Sequence, residues 1–161
     1  MTVRLARAAD EAVVLALGRL LTDDMAPLLP EPTRPPLAAL YESEAQGIRR
    51  TWEPGGEGEQ GRQFLLLAEE GGEAVGYALV KLTPSAGDGA PDAAHLNSLF
   101  VKAGHRGRGI GRTLLEGAMA EARDRGAACL TLNVLAGNER AEALYRAAGF
   151  AEAKKSLWRT L

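Results

Sequence analysis

The densest chemistry in the chain lies at residues 105–112, where HRGRGIGR alternates arginine with glycine. Arg106, Arg108 and Arg112 bring full positive charges, and Gly107, Gly109 and Gly111 let a ligand approach the main chain without a Cβ in the way. Apolar residues stop at Val101 and resume at helical spacing at Ile110, Leu114 and Ala118, so the glycines sit between a strand and a helix N-terminus. The first N–H groups of a helix lack internal acceptors, and the helix dipole places about half a positive charge there. Such a junction is an anion site, and a diphosphate fits it.

Residue types exclude two common diphosphate loops. A P-loop closes on Gly-Lys-Ser/Thr, and Ile110 stands where the lysine belongs. A dinucleotide fingerprint needs a third glycine at 112, which is Arg, and an acid further on, where Cys129 and Leu130 stand.

Two further residues have the right chemistry for moving protons. The stretch before the loop, HLNSLFV at 95–101, alternates so that His95, Asn97, Leu99 and Val101 share one strand face. Histidine titrates near neutrality and suits a base, although a lone strand histidine is as often a satisfied polar residue. Tyr145 falls on a helical stretch beside Leu144, an ordinary core position, but its phenol stays protonated at neutral pH and can serve as an acid. Asn138 is a good helix cap and Gly149 a good helix stop. His105, inside the arginine loop, reads as solvated or phosphate-facing.

The elements that must position these groups are legible in outline. Residues 3–6 read as a first strand, and Asp10 can cap a helix with Val13, Leu17, Leu20 and Leu21 on one face. Prolines break the pattern at 22–36, a second helix follows over 37–50, and WEPGGEGEQGR at 52–62 reads as a mobile loop. Residues 64–68 and 74–82 flank a Gly-Gly turn and form a hairpin. The loop at 84–92 leads to the strand that enters the arginine loop, expected as an antiparallel neighbour of the hairpin. A helix over 110–125, a strand over 129–135 and a short helix from Asn138 then suggest a crossover with parallel strands. Residues 150–161 are expected to supply the last strands, with Trp158 adding bulk to the sheet.

Arg106-x-x-Gly109-x-Gly111, together with NERAEALYRAAGF at 138–150, resembles the GNAT superfamily of N-acetyltransferases. The second stretch agrees with Asn-x-x-Ala-x-x-x-Tyr-x-x-x-Gly-Phe at every marked position. The resemblance implies an α/β (α+β) fold in a single domain over residues 1–161. Its mixed, mostly antiparallel sheet has roughly six to seven strands, flanked by about four helices and splayed around the cofactor. It implies acetyl-CoA as cosubstrate, with the pyrophosphate held by Arg106, Gly107, Arg108, Gly109, Ile110, Gly111 and Arg112. The backbone of Leu99, Phe100 and Val101 pairs with the pantetheine arm, the Val101 N–H polarises the thioester oxygen, and Asn138 reaches the cofactor. Tyr145 protonates the departing thiolate and His95 deprotonates the amine through water, with Asn97 placing that water. The amine then attacks the acetyl carbonyl directly in a ternary complex. A rival reading is a non-catalytic acyl-CoA-binding sensor, which keeps the loop and needs neither acid nor base.

Composition bounds the rest. With 161 residues, 46% hydrophobic, the chain suits one compact domain. A formal charge of −2 gives no global attraction to nucleic acid or to an anionic membrane. The single cysteine, Cys129, is read as core and a poor nucleophile; it excludes an internal disulfide or a cysteine-based metal cluster, and no metal is expected. No apolar run approaches membrane length and no signal-like segment opens the chain, so a cytoplasmic protein is expected. The acceptor, a small-molecule or peptide amine, is framed by residues 22–52 and 84–92, whose Asp23, Asp24, Glu31, Glu42, Glu44, Asp88 and Asp92 suit a cation. Oligomeric state stays open, a homodimer included.

Overall fold

In the computed structural model, residues 1–56, 58, 61–83, 92–157 and 159 are described. Five strands form one sheet in chain order: β1 (Thr2–Leu5), β2 (Gln63–Glu70), β3 (Glu73–Thr83), β4 (Ala93–Val101) and β5 (Cys129–Leu132). Neighbours run antiparallel as far as β4, and β4 and β5 are parallel, as the strand-helix-strand order requires. The helices are α1 (Glu11–Met25), α2 (Leu37–Arg49), α3 (Ile110–Asp124) and α4 (Glu139–Ala147).

Strand alternation splits the core into two. Phe64, Leu66, Ala78 and Val80 pack with Ile110, Leu114, Leu115 and Ala118 of α3, while Leu65, Leu67, Tyr77 and Leu79 pack with Val14, Leu17 and Ile48 of α1 and α2. Both faces of β2 are therefore buried, which explains its unbroken apolar run. On α1 the buried set is Val14, Leu17, Gly18 and Thr22, and Leu20 is 43% exposed. The helix has rolled relative to the expected face because a glycine, which an apolar count passes over, occupies the closest contact.

Three expectations are corrected. The sheet has five strands among the described residues rather than six to seven, because residues 151–157 (AEAKKSL) are exposed and carry no strand. That segment lacks the alternation that would bury one face. Cys129 is exposed, since it opens β5 at the edge of the sheet. Trp158, Asp88 and most of the 84–92 loop lie outside the described residues.

The third correction is a bulge. Leu79 pairs with Ser98 but the next residue, Val80, pairs with Leu96, which leaves Asn97 as an extra residue in β4. One extra residue inverts the alternation. Ala94 and Leu96 before it, and Leu99 and Val101 after it, pack on the α3 side, whereas Phe100 joins the α1–α2 side. His95 therefore does not share a face with Leu99 and Val101.

Candidate active site

The loop behaves as its residue types dictate. Gly109 takes φ +81° at the N-cap of α3 and Gly107 takes +75°, a region that side chains with a Cβ rarely enter. The first helical bond runs from the Thr113 N–H to the Gly109 carbonyl at 3.0 Å. Ahead of it, the N–H groups of Ile110, Gly111 and Arg112 have no intrahelical acceptor and open toward a cavity of about 600 Å³.

Each loop arginine has a carboxylate partner, and Arg106 and Arg112 also line the cavity. The Arg106 Nε–H donates to the Val101 carbonyl at 2.6 Å, its guanidinium pairs with Asp24 of α1, and it lies over the Phe100 ring 5.5 Å from the centroid. Arg108 pairs with Glu70 at 2.7 Å, which also meets His105 Nδ1 at 3.0 Å, and Arg112 pairs with Glu116 one turn along its own helix. Arg106 thus locks the end of β4 to the loop and to α1. The unpaired cation in this cavity is one the sequence reading passed over. Arg140, in the first turn of α4, lines the same wall with no carboxylate or carbonyl within hydrogen-bond reach among the described residues. Partial burial, and then the neighbouring Arg106, hold its guanidinium below the ordinary value, against the opposing pull of Asp24. Its signal was a positive charge beside Asn138, where a helix N-terminus favours acids.

Strand divergence supplies the rest of the cavity. β5 pairs with β4 only from Ala93 to Leu96, so the β4 edge over residues 97–101 has no β5 partner. The Lys102 N–H points inward to the Val75 carbonyl at 2.8 Å; by alternation the N–H and C=O of Val101 point out to this open edge, where its carbonyl meets Arg106. Leu99, Phe100 and Val101 line the cavity. An extended chain can add to such an edge as a further strand would.

A second cavity of about 240 Å³ opens on the other side of this edge, between α1, α2 and β4. The two share Leu21, Met25, Leu99, Asn138, Ala141 and Tyr145 as lining residues. Tyr145 stands at the junction, its ring edge-on to Phe150 at 5.9 Å, and burial raises its phenol above 10, so that it holds its proton at neutral pH. Asn138 is at the junction too. Its Oδ1 caps α4 by accepting the Ala141 N–H at 3.3 Å, and its Nδ2 lies 3.6 Å from Met25 Sδ.

His95 is not brought to this junction and lines neither cavity. Thr131 Oγ1 gives its proton to the Ala94 carbonyl at 3.2 Å and so receives one from His95 Nδ1 at 2.8 Å. Burial lowers the imidazole below its usual value. The bulge that turns Leu99 toward one side leaves His95 at the far end of the strand, tied to β5. Asn97, by contrast, does line the second cavity.

A sequence profile described as "Acetyltransferase (GNAT) family" matches residues 23–150. The chain belongs to this family. It is 35% identical over 122 residues to a streptothricin acetyltransferase of Streptomyces lavendulae, covering 74% of this chain and 60% of that protein. It is 36% identical over 95 residues to an uncharacterized N-acetyltransferase, YhfO, of Bacillus subtilis, covering 58% of this chain and 62% of that one. The chain thus spans about three fifths of these curated relatives. Among solved structures, an aminoglycoside N-acetyltransferase in complex with CoA superposes with a TM-score of 0.69 at 15% identity, over 99% of this chain and 93% of that chain. A transcriptional regulator of Bacillus halodurans superposes with a TM-score of 0.71 at 22% identity, over 99% of both chains. These likenesses establish the GNAT fold. No helix among the described residues of this GNAT chain is long and apolar enough to cross a membrane.

Proposed function

We propose that this GNAT chain transfers an acetyl group from acetyl-CoA to the nitrogen of a primary amine, both substrates being bound at once. The supporting observation is the meeting of two cavities at Leu99 and Tyr145, one carrying an anion loop and an open strand edge, the other a carboxylate. Acetyl-CoA supplies an acyl group already activated as a thioester. The N–H groups of Ile110, Gly111 and Arg112, with Arg140, bind the pyrophosphate, and the glycines at 107 and 109 set the loop's curvature. The open edge over Leu99–Val101 orients the pantetheine arm, and the outward N–H of Val101 is placed to stabilise negative charge on the acyl oxygen. Tyr145 holds its proton on Oη at the junction, where the departing sulfur requires one. Asn138 acts through α4, which it caps, and so fixes the position of Tyr145.

A panel of primary amines with acetyl-CoA, followed by thiol release and by mass of the acetylated product, tests this reading. Amine-dependent CoA release is expected. Tight binding of acetyl-CoA with no release for any amine would mean a sensor rather than a transferase.

A further inference from the structure

The second cavity has apolar walls from Leu21, Met25, Leu29, Leu40, Leu96 and Val134, and among the described residues lining it Glu44 of α2 is the one charged side chain. No cation pairs with Glu44 among the described residues. Three other acids of the acceptor segments are engaged: Asp24 by Arg106, Asp23 by the Tyr41 hydroxyl, and Glu42 by Gln46.

Glu44 is also built in. The Tyr77 hydroxyl donates to its Oε1 at 2.6 Å and the Ser98 hydroxyl at 2.8 Å. Tyr77 is fully buried and Ser98 nearly so, and Ser98 faces this way only because of the bulge at Asn97. Burial, and then the Glu44 charge, push the Tyr77 phenol well above 10, so it remains a donor. Across the stem, a Cβ on Gly18 of α1 would lie 3.2 Å from Glu44 Cγ and 2.8 Å from Ile48 Cδ1. A glycine inside a helix is unfavourable relative to alanine, and here it gives the carboxylate's stem its room. Both hydroxyls occupy Oε1, which leaves Oε2 for a ligand.

We propose that Glu44 is the acceptor-specificity residue: its carboxylate, fixed by Tyr77 and Ser98, receives the primary ammonium of an alkylamine whose hydrocarbon arm lies along the leucines, and its open Oε2 takes one ammonium proton so that the nitrogen's lone pair is free to attack the acetyl carbonyl. A half-buried carboxylate with no cation beside it among the described residues gains a charge-assisted hydrogen bond when an ammonium enters, and a neutral amine of similar size gains far less from it. This identification of the substrate class rests on the acetyl-transfer reading, but binding alone can test it.

The experiment compares wild type with Glu44→Gln, an isosteric change, using pentylamine and the largely uncharged aniline at neutral pH. Calorimetry reads amine binding in the presence of CoA, and thiol release reads KM. Pentylamine is expected to lose roughly tenfold or more in affinity and in KM, whereas aniline and acetyl-CoA binding stay unchanged. Equal effects on both amines, no effect on either, or no pentylamine binding to wild type would overturn the proposal. Glu44-dependent binding of pentylamine with no turnover would sustain it while the transferase reading falls, and turnover indifferent to Glu44 would do the reverse. Should Glu44→Gln fail to fold, Ser98→Ala keeps the carboxylate but frees one side of it. That variant must still raise the pentylamine KM several-fold and spare aniline, and an unchanged ratio would refute the assignment.

Discussion

On the proposed reading, Tyr145 and Arg140 divide the work at the level of single residues. Tyr145 carries a proton that burial keeps in place, at the wall common to both cavities. Phenylalanine retains the ring and its packing on Phe150, so Tyr145→Phe should lower kcat by roughly a hundredfold, the low end for one general acid, with little change in melting temperature. An unchanged kcat would reduce Tyr145 to a packing residue. Arg140 makes no ion pair among the described residues, so Arg140→Ala should raise the acetyl-CoA dissociation constant by about tenfold, the scale of one charge-assisted contact. Arg108→Ala, which breaks an exposed pair with Glu70, should do far less. Titration calorimetry of the two variants ranks them, and the opposite ranking would return the pyrophosphate to the loop arginines. Arg106, Arg108 and Arg112 were conspicuous in the sequence because charge is visible there. Which of them already has a counter-ion depends on Asp24, Glu70 and Glu116, and the first two reach the loop only through the fold.

At the level of elements, the β4–loop–α3 unit was readable because each part has a local cause. The helix begins where its apolar spacing resumes, at Ile110, and the turn before it needs glycine at 107 and 109. Nothing lies within 4 Å of where a Cβ on Gly109 would sit, so the cost of a side chain there comes from φ rather than from a clash. Gly109→Val should therefore leave the fold intact at a cost of about 1–3 kcal/mol and weaken acetyl-CoA binding about tenfold by pulling the N-cap out of shape. Near-UV circular dichroism and calorimetry read the two effects separately, and wild-type binding in a folded variant would contradict the loop assignment. The bulge at Asn97 had no such local cause. Its effect is visible only in the pairing with Leu79 and Val80, and it moves His95 away from the site while turning Ser98 toward Glu44.

Across the whole molecule, the order of elements in the sequence was enough to predict the antiparallel hairpin and its third strand followed by one parallel crossover, because a strand-helix-strand unit admits little else, whereas the strands expected from residues 150–161 do not form among the described residues. What it could not supply was the gap between β4 and β5, which comes from β5 ending at Leu132 while β4 runs on to Val101. That gap leaves one open edge lining both cavities, one on either side, and on the proposed reading sets both substrates against the same stretch of backbone. Cys129 is exposed at the start of β5 and lines neither cavity, so the proposed transfer does not run through an acetylated cysteine. The most direct test is an initial-velocity study that varies acetyl-CoA at several fixed concentrations of an accepted amine. Lines that intersect in double-reciprocal form are predicted, because both substrates must occupy the protein together; parallel lines, with an acetylated protein detected by mass after acetyl-CoA alone, would contradict direct transfer between the two cavities.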